Sequence, residues 1–140
     1  MTIDKKDYKG VKDFNYFLKS TIQYNNPKLF SLAFTYTSRP GIYYNAITGS
    51  TFDVQSNFYE PIFSNDLYSS QYGNYNRFDV SLSKYIRMKK NAIITFISLN
   101  NIFDAKNEST ALYNTDYSTK YFDFYQFRTI YFGMVCQLNY

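Results

Sequence analysis

Thr129 to Tyr140, TIYFGMVCQLNY, decides the fold. Ile130, Phe132, Met134, Cys136, Leu138 and Tyr140 fall on alternate positions. The other positions hold Thr129, Gly133, Gln137 and Asn139, together with Tyr131 and Val135. Side chains of a strand point to opposite faces in turn, so this segment reads as a strand with one oily side and one mixed, mostly polar side. A strand of about ten such residues is long enough to cross a bilayer obliquely.

Working back from this strand, four more segments alternate in the same way. Asp13 to Tyr24 places Phe14, Tyr16, Leu18, Ile22 and Tyr24 opposite Asp13, Asn15, Lys19, Thr21 and Gln23, with Phe17 out of pattern. Lys28 to Arg39 places Phe30, Leu32, Phe34 and Tyr36 opposite Ser31, Ala33, Thr35 and Thr37. Asn76 to Arg87 sets Phe78, Val80, Leu82 and Ile86 against Arg77, Asp79, Ser81 and Ser83. Ala92 to Phe103 alternates less cleanly, with Ile93, Ile97, Leu99 and Phe103 on one face and Ile94, Phe96, Ser98 and Asn100 on the other. The fifth strand is expected to run from about Tyr121 to the end.

Short and long connections alternate between these strands. Asn25-Asn26-Pro27 and Met88 to Asn91 are tight turns, built from residues that tolerate turn backbone or stop a ladder. Long polar and aromatic loops are expected at about 45–74 and 104–120, and residues 1–12 form a polar N-terminal segment. The fold class expected is all-β: an antiparallel up-and-down meander of about five long strands, a segment of a transmembrane β-barrel. Brief turns on one side and long loops on the other are the pattern of such barrels.

Composition agrees with this expectation. Aromatic residues make up 22% of the 140, with 17 Tyr, 14 Phe and no Trp, which favours pleated structure. Charged residues are 19%, too few for a disordered polyelectrolyte. The hydrophobic 45% is dispersed, and no apolar run reaches the length of a transmembrane helix. The net charge of +4 comes from scattered clusters, Lys5, Lys6, Lys9 and Lys12 near the start and Arg87, Lys89 and Lys90 at a turn. That spread argues against a nucleic-acid face. One Cys excludes an internal disulfide.

Three local features carry a family resemblance. Thr37-Ser38-Arg39-Pro40-Gly41 closes the second strand and leads into Ile42-Tyr43-Tyr44-Asn45. Asn76-Arg77-Phe78-Asp79-Val80-Ser81-Leu82-Ser83-Lys84 opens the third, and Leu99-Asn100-Asn101-Ile102-Phe103-Asp104 ends the fourth, with Lys106-Asn107 beyond. In this order, before a terminal strand ending in an aromatic, they resemble the C-terminal part of the β-barrel of TonB-dependent outer-membrane receptors, over about Phe14 to Tyr140. The resemblance implies a barrel of about 22 strands with a plug, in the bacterial outer membrane. It implies uptake of an iron chelate, cobalamin or oligosaccharide by the parent protein.

The partners it implies are outer-membrane lipid, the rest of the barrel and plug, the barrel-assembly machinery and an energy-coupling complex. Phe132, Met134, Leu138 and Tyr140 would carry the assembly signal. The start, MTIDKKDYKG, has no apolar leader region. With about five strands and no plug, the chain is expected to be a fragment, because open edges in lipid are costly.

The absence of histidine removes His-based triads and zinc sites, and no cofactor or enzymatic activity is expected. Cys136 sits on the oily face, where packing explains it. Asp13, Asp79 and Asp123 are read as the polar lining of a wet interior. Loop aromatics are the ligand candidates: Phe58, Tyr59, Tyr68 and Tyr72 offer ring area to a sugar or an aromatic chelate. Tyr43, Tyr44 and Tyr75, at strand ends, suit an aromatic girdle. The competing reading is a soluble carbohydrate-binding β-sandwich, and a complete small barrel is short of the usual eight strands or so.

Overall fold

The computed structural model describes residues 2–3, 6–7, 10–89 and 91–137, with side chains from residue 10 onward. In chain order the strands are β1 (Thr2–Ile3), β2 (Lys6–Asp7), β3 (Leu18–Asn25), β4 (Ser31–Arg39), β5 (Tyr43–Tyr44), β6 (Ile47–Asp53) and β7 (Phe58–Phe63). They continue with β8 (Ser70–Gln71), β9 (Tyr75–Met88), β10 (Asn91–Asn100), β11 (Glu108–Tyr113), β12 (Lys120–Phe124) and β13 (Thr129–Gln137). The fold is all-β, with antiparallel sheets and no helix among the described residues. Two compact units result. A sheet unit comprises residues 18–38, 76–106 and 126–140, and a loop unit comprises 1–17, 39–75 and 107–125.

The sheet unit holds the five alternating strands in the order β13-β10-β9-β4-β3. Each long strand lies beside the next one in sequence, which makes the meander expected from the sequence. The sheet is open: β3 and β13 are its edges and pair with no further described strand. Register fixes the faces. Across β9, β10 and β13 one face carries the rows Ile86–Ile93–Cys136, Lys84–Thr95–Met134, Leu82–Ile97–Phe132 and Val80–Leu99–Ile130. On β3 and β4 the matching pairs are Leu18–Ser38, Ser20–Tyr36, Ile22–Phe34 and Tyr24–Leu32. Phe34 and Tyr36 each meet the Phe78 ring at 6.3 Å, which joins the two sets into one surface.

That surface is uncovered. Ile22 is 73% exposed, Ile130 62%, Met134 63% and Phe132 83%. Together the large side chains on this face leave on the order of 1,000 Å² of apolar surface open, about twice the largest patch of an ordinary soluble monomer. Lys84 is the one charge among these rows. It lies near the turn end of β9, where a four-carbon stem lets its ammonium reach a polar boundary.

The second face is mixed. Its rows are Arg87–Ala92–Gln137, Tyr85–Ile94–Val135, Ser83–Phe96–Gly133 and Ser81–Ser98–Tyr131, with Lys19–Thr37, Thr21–Thr35 and Gln23–Ala33 on the other pair. The Phe96 ring lies over Gly133: a Cβ there would meet its far edge at 2.6 Å, so a larger residue would push the half-exposed ring aside. Ala92 is the only apolar side chain buried in this unit among the described residues.

The first strand begins at Leu18 and not at Asp13, and the second at Ser31 and not at Lys28; the ends of the fourth and fifth have identifiable causes. The fourth strand stops at Asn100 because Asn101 turns left-handed, at φ 52°, and is 1% exposed. Its amide side chain donates to the carbonyls of Ala105 (3.1 Å) and Gln126 (2.9 Å) and accepts from the Ala105 N–H (3.0 Å). Its own N–H donates to Asp79, whose carboxylate also holds Arg77 at 2.7 Å. Asp104, also left-handed at φ 51°, accepts the Arg128 N–H at 2.9 Å. The corner therefore claims the backbone groups of Gln126 and Arg128. The long fifth strand breaks there into β12, paired with β11, and β13, paired with β10.

The loop unit is less irregular than its composition suggests. Residues 45–74 contain the hairpin β6–β7, which pairs Phe52 with Tyr59 and Ser50 with Pro61, and β8, which pairs with β5 just ahead of them. Residues 108–124 form a second hairpin, β11–β12. Polar turn chemistry closes each tip. Asp53 accepts from Gln55 N–H and Ser56 Oγ, and Asp116 accepts from the N–H and Oγ of Ser118. Ser50 Oγ donates to the Asp116 carbonyl at 2.6 Å and so ties the two hairpins together.

Candidate functional site

The loop unit is organised around Tyr72, which is 8% exposed. Gly41 makes its position possible: any Cβ at residue 41 would lie 1.9 Å from the Tyr72 carbonyl oxygen, so the two backbones approach as only glycine allows. The Tyr72 ring stacks on Tyr44 at 4.3 Å and meets Phe122 edge-on at 6.0 Å. Its hydroxyl accepts the Ala111 N–H at 2.9 Å. Burial pushes that hydroxyl's pKa up. Lys120 lies over Phe122 at 5.2 Å and donates to the Tyr44 hydroxyl at 3.3 Å, which holds its ammonium more firmly protonated.

The four ligand candidates are therefore placed differently. Tyr72 is a packing centre with little free surface. Phe58 and Tyr59 are exposed on β7, with Tyr59 edge-to-face on Phe52 at 5.1 Å. Val54, at the same tip, is 81% exposed. Tyr68 is left-handed, at φ 53°, and its N–H donates to Asn45 Oδ1 at 2.7 Å. The structure brings Phe58 and Tyr59 onto one hairpin.

A second aromatic cluster lies around Arg39. Its guanidinium carbon is 4.8 Å from the Tyr75 ring centre, 5.7 Å from Tyr125 and 5.9 Å from Phe14, and Tyr75 meets Tyr125 edge-on at 5.5 Å. Sequence reading placed Arg39 in a strand-closing motif and Tyr75 at a strand end. It gave no signal that two segments distant in sequence, around residues 14 and 125, would converge there.

Of the expected assembly residues, Phe132 and Met134 are on the exposed apolar face, while Leu138 and Tyr140 lie outside the described residues. Cys136 is a free, exposed thiol on the same row. Asp79 is engaged by Arg77 and Asn101, whereas Asp13 and Asp123 are exposed. Among the described residues no cluster of Cys, Asp and Glu is suited to a metal. No protein-family model, curated protein or solved structure matches this chain.

Proposed function

We propose that the five-stranded sheet is part of the membrane-spanning wall of an outer-membrane β-barrel, the C-terminal portion of a TonB-dependent receptor whose parent takes up a nutrient. The supporting observation is the uncovered apolar face, continuous from Ile22 to Phe132, backed by a mixed polar face on an up-and-down sheet. Covering about 1,000 Å² with acyl chains is worth roughly 25 kcal/mol. The two open edges oppose this. A strand of eight or nine residues leaves several N–H and C=O groups unpaired along each edge, at a few kcal/mol apiece in hydrocarbon. The edge penalty is at least comparable to the gain, so the sheet requires further strands on both sides.

In this reading the two tight turns face the periplasm and the hairpins β6–β7 and β11–β12 face outward. Phe58, Tyr59 and Tyr68 are then the accessible ring surfaces for a sugar or an aromatic chelate. A carbohydrate-binding sandwich would instead need a second layer on the face that is exposed here.

Labelling tests the lipid-facing assignment. In the complete barrel folded into phosphatidylcholine vesicles with Cys136→Ser, a fluorophore on Phe132→Cys should be quenched by brominated acyl chains, and one on Tyr131→Cys should not. Equal quenching at both sites, or a stable monomer free of lipid and detergent, would refute the membrane assignment. The receptor parentage has its own test. The DNA directly upstream should encode plug and barrel in frame, and an unrelated sequence there rejects it.

A further inference from the structure

A cavity of about 330 Å³ within the loop unit is lined by Lys12, Phe14, Phe17, Arg39, Ile42 and Tyr125. Its walls are four apolar side chains, three of them rings, and two cations. Among the described residues neither cation has a carboxylate partner. Among the described residues the ion pairs are Arg77–Asp79 and Lys106–Asp104. Arg39 makes a single hydrogen bond, from Nη1 to the Pro40 carbonyl at 3.0 Å. A guanidinium carries five N–H donors in a planar fork. Here it is half-buried among Phe14, Tyr75 and Tyr125, and its remaining donors stay open to solvent and to a ligand that enters from it. Asp13, next to Lys12 in sequence, lines a neighbouring cavity with Asn15, Tyr43 and Asn74, and the two cavities share Phe14.

From this we infer that the Arg39 cavity is a binding site for a small aryl carboxylate. The fork of Arg39 matches a carboxylate through two parallel hydrogen bonds, and the rings beside it shield that pairing in part. Phe14, Phe17 and Tyr125 provide faces and edges for the aryl ring, and Ile42 provides apolar contact. Lys12, exposed at the cavity, supplies attraction without directional demand. The volume is at the small end of ligand sites, which suits one ring with its substituent. An inorganic anion would leave the ring walls unused, and a neutral aromatic would leave the guanidinium unpaired. The inference stands apart from the membrane assignment, because every lining residue belongs to the loop unit.

Titration of the full chain in maltoside micelles with benzoate, followed by calorimetry, tests the site. Benzyl alcohol, benzylamine and inorganic phosphate serve as matched probes. Benzoate should bind in the millimolar range, as about nine heavy atoms at ordinary ligand efficiency allow. It should bind at least about tenfold more tightly than benzyl alcohol or phosphate, because the charged hydrogen bonds and the ring contacts are both required. Arg39→Gln should remove that advantage, Arg39→Lys should restore part of it, and Phe17→Ala should weaken benzoate without affecting phosphate. The probe series on the unaltered chain stays decisive even where a variant misfolds. No benzoate binding below about 10 mM, equal affinity for benzyl alcohol, or equal affinity for phosphate would overturn the inference.

Discussion

The sheet unit and the loop unit solve the problem of stability in opposite ways. Among the described residues the sheet unit buries only Ser38, Ala92 and Asn101, with Ala92 its one buried apolar residue, and leaves its oily face open. Its order comes from ladders that run nine residue pairs between β10 and β13 and nine between β9 and β10. The loop unit has only short ladders but builds a local core on Tyr72, with side chains capping its turns. A ladder wetted on both faces is marginal, so the sheet needs an apolar medium or partner against its oily face, whereas the loop unit carries a small core of its own. A chain that meets lipid on one part and water on another would divide its resources in this manner.

The largest expected effect breaks the loop side of that comparison. Tyr72→Ala removes the ring between Tyr44 and Phe122 and strands the Ala111 N–H, and should cost the loop unit about 3–5 kcal/mol. Hydrogen exchange should show lost protection over 43–71 and 108–124 and retained protection over 92–99. If both regions open together, the two units are one cooperative body. Tyr72→Phe, which loses only the hydroxyl's hydrogen bond, should cost about 1 kcal/mol.

The next effect breaks the sheet side. Phe132→Arg should cost about 2–4 kcal/mol of folding stability in lipid vesicles, while Ser81→Arg on the other face should cost close to nothing. Urea titration of the complete barrel, folded into vesicles with the strands that close its edges, measures both. Equal costs would mean the faces do not differ in environment, and the contrast between units would lose its basis. In detergent-free buffer the order reverses, since Phe132→Arg covers exposed apolar surface with charge and should reduce aggregation.

How far the sequence could be read also divides along this line. Period-two alternation exposed all five sheet strands, their order and the identity of the oily face, because each strand's pattern is local and register carries it across the sheet. Alternation could not locate the break between Phe124 and Thr129, because the cause is Asn101, some 25 residues away, taking the Gln126 carbonyl. The loop hairpins were hidden for a related reason. Pro61 and Gly49 interrupt the pattern in β6–β7, and its order rests on long-range ties such as Ser50 to Asp116. Tyr72 looked like its neighbouring tyrosines until Gly41 allowed the backbones to close. The candidate ligand rings were legible as a class. Which of them stay exposed was not, since that depends on tertiary packing.

A smaller effect sharpens the comparison at the corner that ends β10. Asn101→Ala leaves the Ala105 N–H and the Ala105 and Gln126 carbonyls without a side-chain partner, and should cost about 1–3 kcal/mol. Asn101→Gly keeps access to the left-handed backbone but not the hydrogen bonds, and should fall no lower than the alanine variant. Amide exchange at Ala105 and through β13 reports the change. Equal stability of both variants with the unaltered chain would show that the corner's hydrogen bonds are replaced by water without loss.

The smallest effect is acidic. Asp53 and Asp116 at the hairpin tips, held by Ser56 and Ser118, and Asp104 at the corner, held first by the Arg128 N–H, all have pKa values lowered from the ordinary 3.8. A carboxylate whose folded pKa is depressed adds stability above its unfolded value and loses it as the pH falls through the folded one. All three groups are solvent-exposed, so each contribution is small and screened. Exchange at Gln55, Ser118 and Arg128, corrected for its intrinsic pH dependence, should accelerate as the pH drops below 3.8, while the β9–β10 ladder holds. Asp53→Asn should remove the dependence at Gln55 alone. Acid sensitivity spread evenly through the ladder would mean that carboxylates, and not backbone pairing, govern the sheet, and the division of labour between the units would then have to be given up.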